Sequence, residues 1–81
     1  MQLQQLRYFL EIAKDKSISA AAKNLYISQP SLSQQIINLE KELGIPLLIR
    51  HSKSVSLSEA GEQFLIHAQR IVCLLYTSRC V

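Results

Sequence analysis

The stretch SQPSLSQQIINLEKEL, residues 28 to 43, constrains the rest of the chain more than any other. Wound as a helix, it lines up Leu32, Ile36, Leu39 and Leu43 on one narrow stripe. Pro30, Ser33, Gln34, Ile37 and Lys41 fall on the opposite side. Ser28 suits the N-cap, and Pro30 is harmless in a first turn, where its missing N–H would find no partner. Gly44 ends the helix and Pro46 keeps it ended. A helix of this kind needs other elements to cover the leucine stripe, while its polar face stays open to a partner.

The flanking sequence supplies those elements. Leu3, Leu6, Phe9, Leu10 and Ala13 recur at three- and four-residue steps, predicting a first helix over residues 3–14 with Arg7, Glu11 and Lys14 outward. After the polar break Asp15-Lys16-Ser17, Ile18, Ala21, Ala22 and Leu25 predict a second, shorter helix whose alanines admit a close neighbour. Tyr26-Ile27-Ser28 is then a three-residue turn into the third helix. Short helix, tight turn and longer helix make a helix-turn-helix pattern. Beyond Pro46 the period changes. Leu47-Leu48-Ile49 is apolar, residues 50–54 are polar and basic, and Val55-Ser56-Leu57-Ser58 alternates, which predicts a two-stranded hairpin. Ser58 can cap a last helix with Glu59 and Glu62 in its first turn. Its apolar positions Phe64, Ala68, Ile71 and Leu75, with Leu65 and Val72 beside them, form a stripe too long for one small core. Part of that stripe is expected to meet a second chain. The expected architecture is mainly α, a winged helix-turn-helix with a short β-hairpin wing and a C-terminal linker helix. Residues 1–58 form the winged unit, 59–75 the linker or dimerisation helix, and 76–81 an atypical tail.

Charge placement narrows the function. The net charge is only +3, but no acid occurs between Asp15 and Glu40 or between Glu42 and Glu59. Those gaps hold Lys16, Lys23, Arg50, His51 and Lys53. The N-terminal half of the third helix thus joins hydrogen-bonding groups and a positive dipole end with no carboxylate to repel phosphate. That combination fits a helix whose N-terminal end enters a DNA groove. Other classes find less support. His51, His67, Cys73 and Cys80 have no metal-ligand spacing. There is no G-x-S-x-G elbow, and with Gly44 and Gly61 as the only glycines there is no phosphate-binding glycine loop. No enzyme and no cofactor are expected. Two cysteines near the end make no disulfide framework, and no segment reads as a signal peptide or a membrane span. A soluble, cytoplasmic chain is the expectation.

With these features in place, the chain resembles the N-terminal winged helix-turn-helix domain of LysR-type transcriptional regulators. Leu6-Arg7-Tyr8-Phe9 with Ala13, and then residues 17–22, SISAAA, are similar to that family's first two helices. Residues 28–36, SQPSLSQQI, with Leu39-Glu40 and Leu43-Gly44, resemble its recognition helix. Leu47, Leu48, Arg50, Lys53, Val55, Leu57, Ser58, Ala60 and Gly61 line up with its wing and the start of its linker helix. The chain departs where the family usually has glycine (Lys16), phenylalanine (Leu48), arginine (Lys53) and threonine (Ser58). Of these, Lys53 bears on binding, because lysine lacks the flat fork that suits arginine to a narrow minor groove.

The resemblance implies a sequence-specific regulator that binds double-stranded DNA as a homodimer on an inverted repeat. Gln29, Pro30, Ser31, Ser33 and Gln34 would meet bases and phosphates in the major groove, with Gln34 suited to an adenine edge and Pro30 to a thymine methyl. Arg50 and Lys53 would meet the backbone or minor groove from the wing tip. Outward-facing Ile37 suits a wing contact better than base readout. Phe64, Ala68, Ile71 and Leu75 would pair two linker helices. The residues after 72 do not resemble a continuation of that helix, and the family's effector-binding domain has no counterpart in these 81 residues. The expectation is a truncated chain or a foreign tail, with no small-molecule effector bound by it. A different class stays open: a helical dimerisation or protein-interaction fragment without useful DNA affinity, motivated by the tail and by Lys53.

Overall fold

Among the described residues six elements follow one another: α1 (Leu3–Asp15), α2 (Ile18–Leu25), α3 (Gln29–Leu43), β1 (Leu48–Arg50), β2 (Val55–Leu57) and α4 (Glu59–Tyr76). The computed structural model describes residues 2–52 and 54–76, the side chains of 74–76 excepted. The strands pair antiparallel, with Leu48 opposite Leu57, Ile49 opposite Ser56 and Arg50 opposite Val55. This is the winged helix-turn-helix architecture expected from the sequence. Lys53 and the tail residues 77–81 lie outside the described residues.

Each helix begins and ends where local chemistry dictates. Ser17 Oγ accepts the Ala20 N–H at 3.2 Å, and Ser28 Oγ accepts the Ser31 N–H at 3.2 Å, so α2 and α3 each start on a serine cap. Ser58 Oγ accepts the Gly61 N–H at 3.0 Å and donates to the Pro46 carbonyl at 2.7 Å, starting α4 and pinning it to the wing root. The first three helices close on left-handed residues: Lys16 (φ 56°), Tyr26 (φ 60°) and Gly44 (φ 76°). Only the last is a glycine; lysine and tyrosine carry a steric cost in that conformation.

The core joins Leu6, Phe9 and Ile12 of α1, Ala21 and Ala22 of α2, and Leu32, Ile36 and Leu39 of α3. Leu47, Leu48, Val55 and Ala68 complete it. Leu43, expected on the same stripe, is half-buried at its edge. The inward face of α1 differs from the expected one. It centres on Phe9 and Ile12, while Leu3 and Leu10 are only partly buried. The reason is that α1 packs against α2, α3 and α4 together, so a wider arc of its surface is covered than one neighbour would cover. The same crowding buries Gln5, whose Oε1 accepts the Gln2 N–H at 3.0 Å.

The α4 stripe is divided. Ala68 is fully buried and the Phe64 ring stands edge-on to Phe9, centroids 5.3 Å apart. Of the positions expected in a helix pairing between chains, Ala68 lies within the chain's own core and Phe64 is half-buried against it. Ile66 and Ile71 are the exposed large apolar residues of α4 among those described. The side chain of Leu75 lies outside the described residues.

Candidate nucleic-acid interface

The open face of α3 begins at its cap. Gln29, Pro30 and Ser31 are exposed, as is Gln34, and Ser33 is half-exposed. Ser28 Oγ also donates to Ser31 Oγ at 2.8 Å, so the two hydroxyls at the helix start hold each other in place. One turn further, Gln34 Nε2 donates to Asn38 Oδ1 at 2.9 Å on the same exposed face. No acidic residue occupies the first turn. Ile37 is half-buried beside the stripe.

The wing is held against α3 by a carboxylate. Glu40 Oε2 accepts the Leu47 N–H at 2.7 Å and the Leu48 N–H at 3.1 Å. Two backbone donors at the buried root of the hairpin are thus satisfied from the helix that carries the open face. The other side of the hairpin is tied to the α1–α2 corner, where the Val55 N–H donates to the Lys16 carbonyl at 3.1 Å. The hairpin is therefore tied to α3 on one side and to the α1–α2 corner on the other.

This anchoring sets where Arg50 lies. It pairs with Val55 at the end of β1, one residue short of the tip, which the His51 N–H to Ser54 carbonyl bond closes at 2.8 Å. Arg50, His51, Ser52 and Ser54 share an open cleft of about 440 Å³ with Ser17 and Ser19 of α2 and Gln29 of α3. The expected contact set is thus brought together in part: Arg50 and Gln29 line one cleft, while Ser33 and Gln34 continue along the helix away from it. Among the described residues no carboxylate lines that cleft. Its cation, hydroxyls and amide, set at the N-terminal ends of two helices, suit a chain of phosphates. His51 is engaged with Ser56 Oγ at 3.0 Å. Among the described residues no three His, Cys, Asp or Glu side chains come together to hold a metal, and no helix is long and apolar enough to cross a membrane.

Four contributors went unforeseen in the sequence. Glu40 was legible only as part of the family-like Leu39-Glu40 pair, Asn38 had no signal beyond its place four residues after Gln34, Ser17 read as part of a polar break, and Ser19 read only as part of the second helix.

The geometry has counterparts among known proteins. Residues 3–62 match the pattern described as "Bacterial regulatory helix-turn-helix protein, lysR family". The chain belongs to the lysR family. It is 50% identical over 74 residues to the HTH-type transcriptional regulator BudR of Raoultella terrigena, covering 91% of this chain and 26% of that protein. Its fold superposes on the CbnR DNA-binding domain in a DNA complex with a TM-score of 0.90 and 41% identity, covering 93% of this chain and 86% of that one. The BenM DNA-binding domain on catB site 1 DNA gives 0.88 and 43%, covering 93% and 84%. This lysR-family chain thus spans about a quarter of the BudR relative and most of the isolated domains it superposes on.

Proposed function

We propose that this chain is the DNA-reading unit of a transcription regulator. The N-terminal half of α3 lies in the major groove, and Arg50, with Lys53 beyond it, meets the flanking backbone or minor groove. The observation that carries the reading is the surface formed by Gln29 to Gln34 and the Arg50 cleft, free of carboxylates among the described residues and joined to α3 through Glu40. The DNA complexes of similar isolated domains support it. Within the surface, Gln34 reads a base edge, with Gln29, Pro30, Ser31 and Ser33 at base or phosphate contacts. Residues 1–58 do the reading, and the chain works in the cytoplasm on a site with two half-sites, as a homodimer. Pairing falls to Ile71, half-buried Phe64 and the helix continuing to Leu75, since Ala68 is enclosed within the chain.

A gel shift of the full chain on random-sequence duplex at two salt concentrations tests the core of this. A DNA reader loses affinity steeply as salt rises. Replacing Arg50 and Lys53 together with alanine should weaken binding to all sequences alike and flatten the slope of log K on log salt by about one to two units. No binding at low salt would refute the proposal. A double variant that keeps its slope but loses discrimination between sites would refute the role given to the wing.

A further inference from the structure

Asn38 is absent from every contact set so far, yet it holds the amide of Gln34. The two side chains sit one helical turn apart on the exposed face of α3, and the bond runs from Gln34 Nε2 to Asn38 Oδ1 at 2.9 Å. We propose that Asn38 is a positioning residue for base readout: by accepting this hydrogen bond it favours one of the two orders in which Gln34 can present its donor and its acceptor to the groove.

The chemistry follows from what a glutamine offers. Its amide carries two N–H donors on Nε2 and an acceptor at Oε1. Reading an adenine edge needs Oε1 to accept from N6 and one Nε2 hydrogen to reach N7, in that order along the groove. An unrestrained amide can rotate by half a turn and present the reverse order, which suits a different base edge. With one Nε2 hydrogen committed to Asn38, the nitrogen side of the amide faces back along the helix. The second Nε2 hydrogen and Oε1 are left for the base. Asn38 lies about 6 Å further along the helix axis than Gln34. It can therefore orient the amide while Gln34 stays nearest the helix start. The pairing also removes rotamer freedom before DNA arrives, so less is lost on binding.

The inference rests on the reading of Gln34 as a base contact, and the experiment separates the two. Selection of duplexes from a random library by the full chain gives the preferred half-site, and duplexes carrying each of the four bases at every position give the preferences. Gln34→Ala should abolish the preference at one position. Asn38→Ala should keep the parent's melting temperature and non-specific binding but reduce that same preference by about three- to tenfold. Asn38→Asp retains an acceptor facing Gln34 and has no donor, so it should keep the preference while weakening binding to every duplex through its charge. If Asn38→Ala keeps the full preference that Gln34→Ala abolishes, the positioning role is overturned and the reading of Gln34 stands. If Asn38→Asp loses the preference as Asn38→Ala does, Asn38 works through its own N–H and the inference is again overturned. If Gln34→Ala leaves all preferences intact while the parent binds DNA, the reading of Gln34 falls and takes the inference with it.

Discussion

Glu40 links the reading helix to the wing, and its removal should be costly out of proportion to a half-buried surface carboxylate. Its Oε2 is the acceptor for the N–H groups of Leu47 and Leu48, whose residues are 0% and 6% exposed. In Glu40→Ala both donors stay at the buried root of the hairpin with no partner supplied by the helix. A hydrogen bond to a charged group contributes about 1.5–3 kcal/mol, and the two share one oxygen, so the pair together is worth about 2–4 kcal/mol. A domain of this length has about 4–12 kcal/mol of stability in all. At about 4–8 °C per kcal/mol, the melting temperature should fall by roughly 8–32 °C. Glu40→Gln keeps a neutral acceptor at the same reach and should lose about half as much, since neutral hydrogen bonds are about half as strong. Thermal unfolding followed by circular dichroism measures the fall, and amide hydrogen exchange at residues 47 and 48 localises it. A Glu40→Ala protein that melts with the parent, its two amides still protected, would refute this account of how wing and helix are joined.

Other consequences are as direct. Leu39→Ala empties a fully buried site and should cost about 2–5 kcal/mol in chemical denaturation, whereas Gln34→Ala, on the exposed face, should melt with the parent. Lys16→Gly relieves a left-handed lysine and should raise the melting temperature, by an amount set by a gain of about 1 kcal/mol, in a thermal scan. Asp15 is held below its ordinary value of 3.8 chiefly by its hydrogen bond with Glu11, against a smaller desolvation and with help from Asn24 and Lys14. Two ionised carboxylates share no proton, so that bond forms only once acid protonates one of the pair, and Asp15→Asn should leave the melting temperature at neutral pH close to the parent's in a thermal scan. Ile71→Lys should give a folded chain that stays monomeric across concentration in analytical ultracentrifugation and loses tight binding to paired half-sites only.

Much of this protein is written in its local sequence. Apolar spacing, serine caps and the Gly44 and Pro46 stops specify where helices begin and end, because those choices depend on neighbours within one or two turns. The open face of α3 was legible for the same reason: a stripe of leucine and isoleucine leaves only one side for Gln34 and its neighbours. Tertiary packing decided what such spacing cannot express. The arc of α1 that is buried depends on three partners at once, so Ile12 displaced Leu10 from the centre of the core. Ala68 looked available to another chain because a periodic stripe does not say which surface will cover it, and the packed fold encloses it while setting half-buried Phe64 edge-on to Phe9. The approach of α4 to the wing root is closer than periodicity could reveal: a Cβ on Gly61 would overlap the carbonyl oxygen of Leu47. Arg50 and Gln29, twenty-one residues apart in the chain, share a cleft only because the Glu40 carboxylate and the Lys16 carbonyl hold the hairpin from either side. Those bonds join residues distant in sequence, and their directions are set by the packed fold.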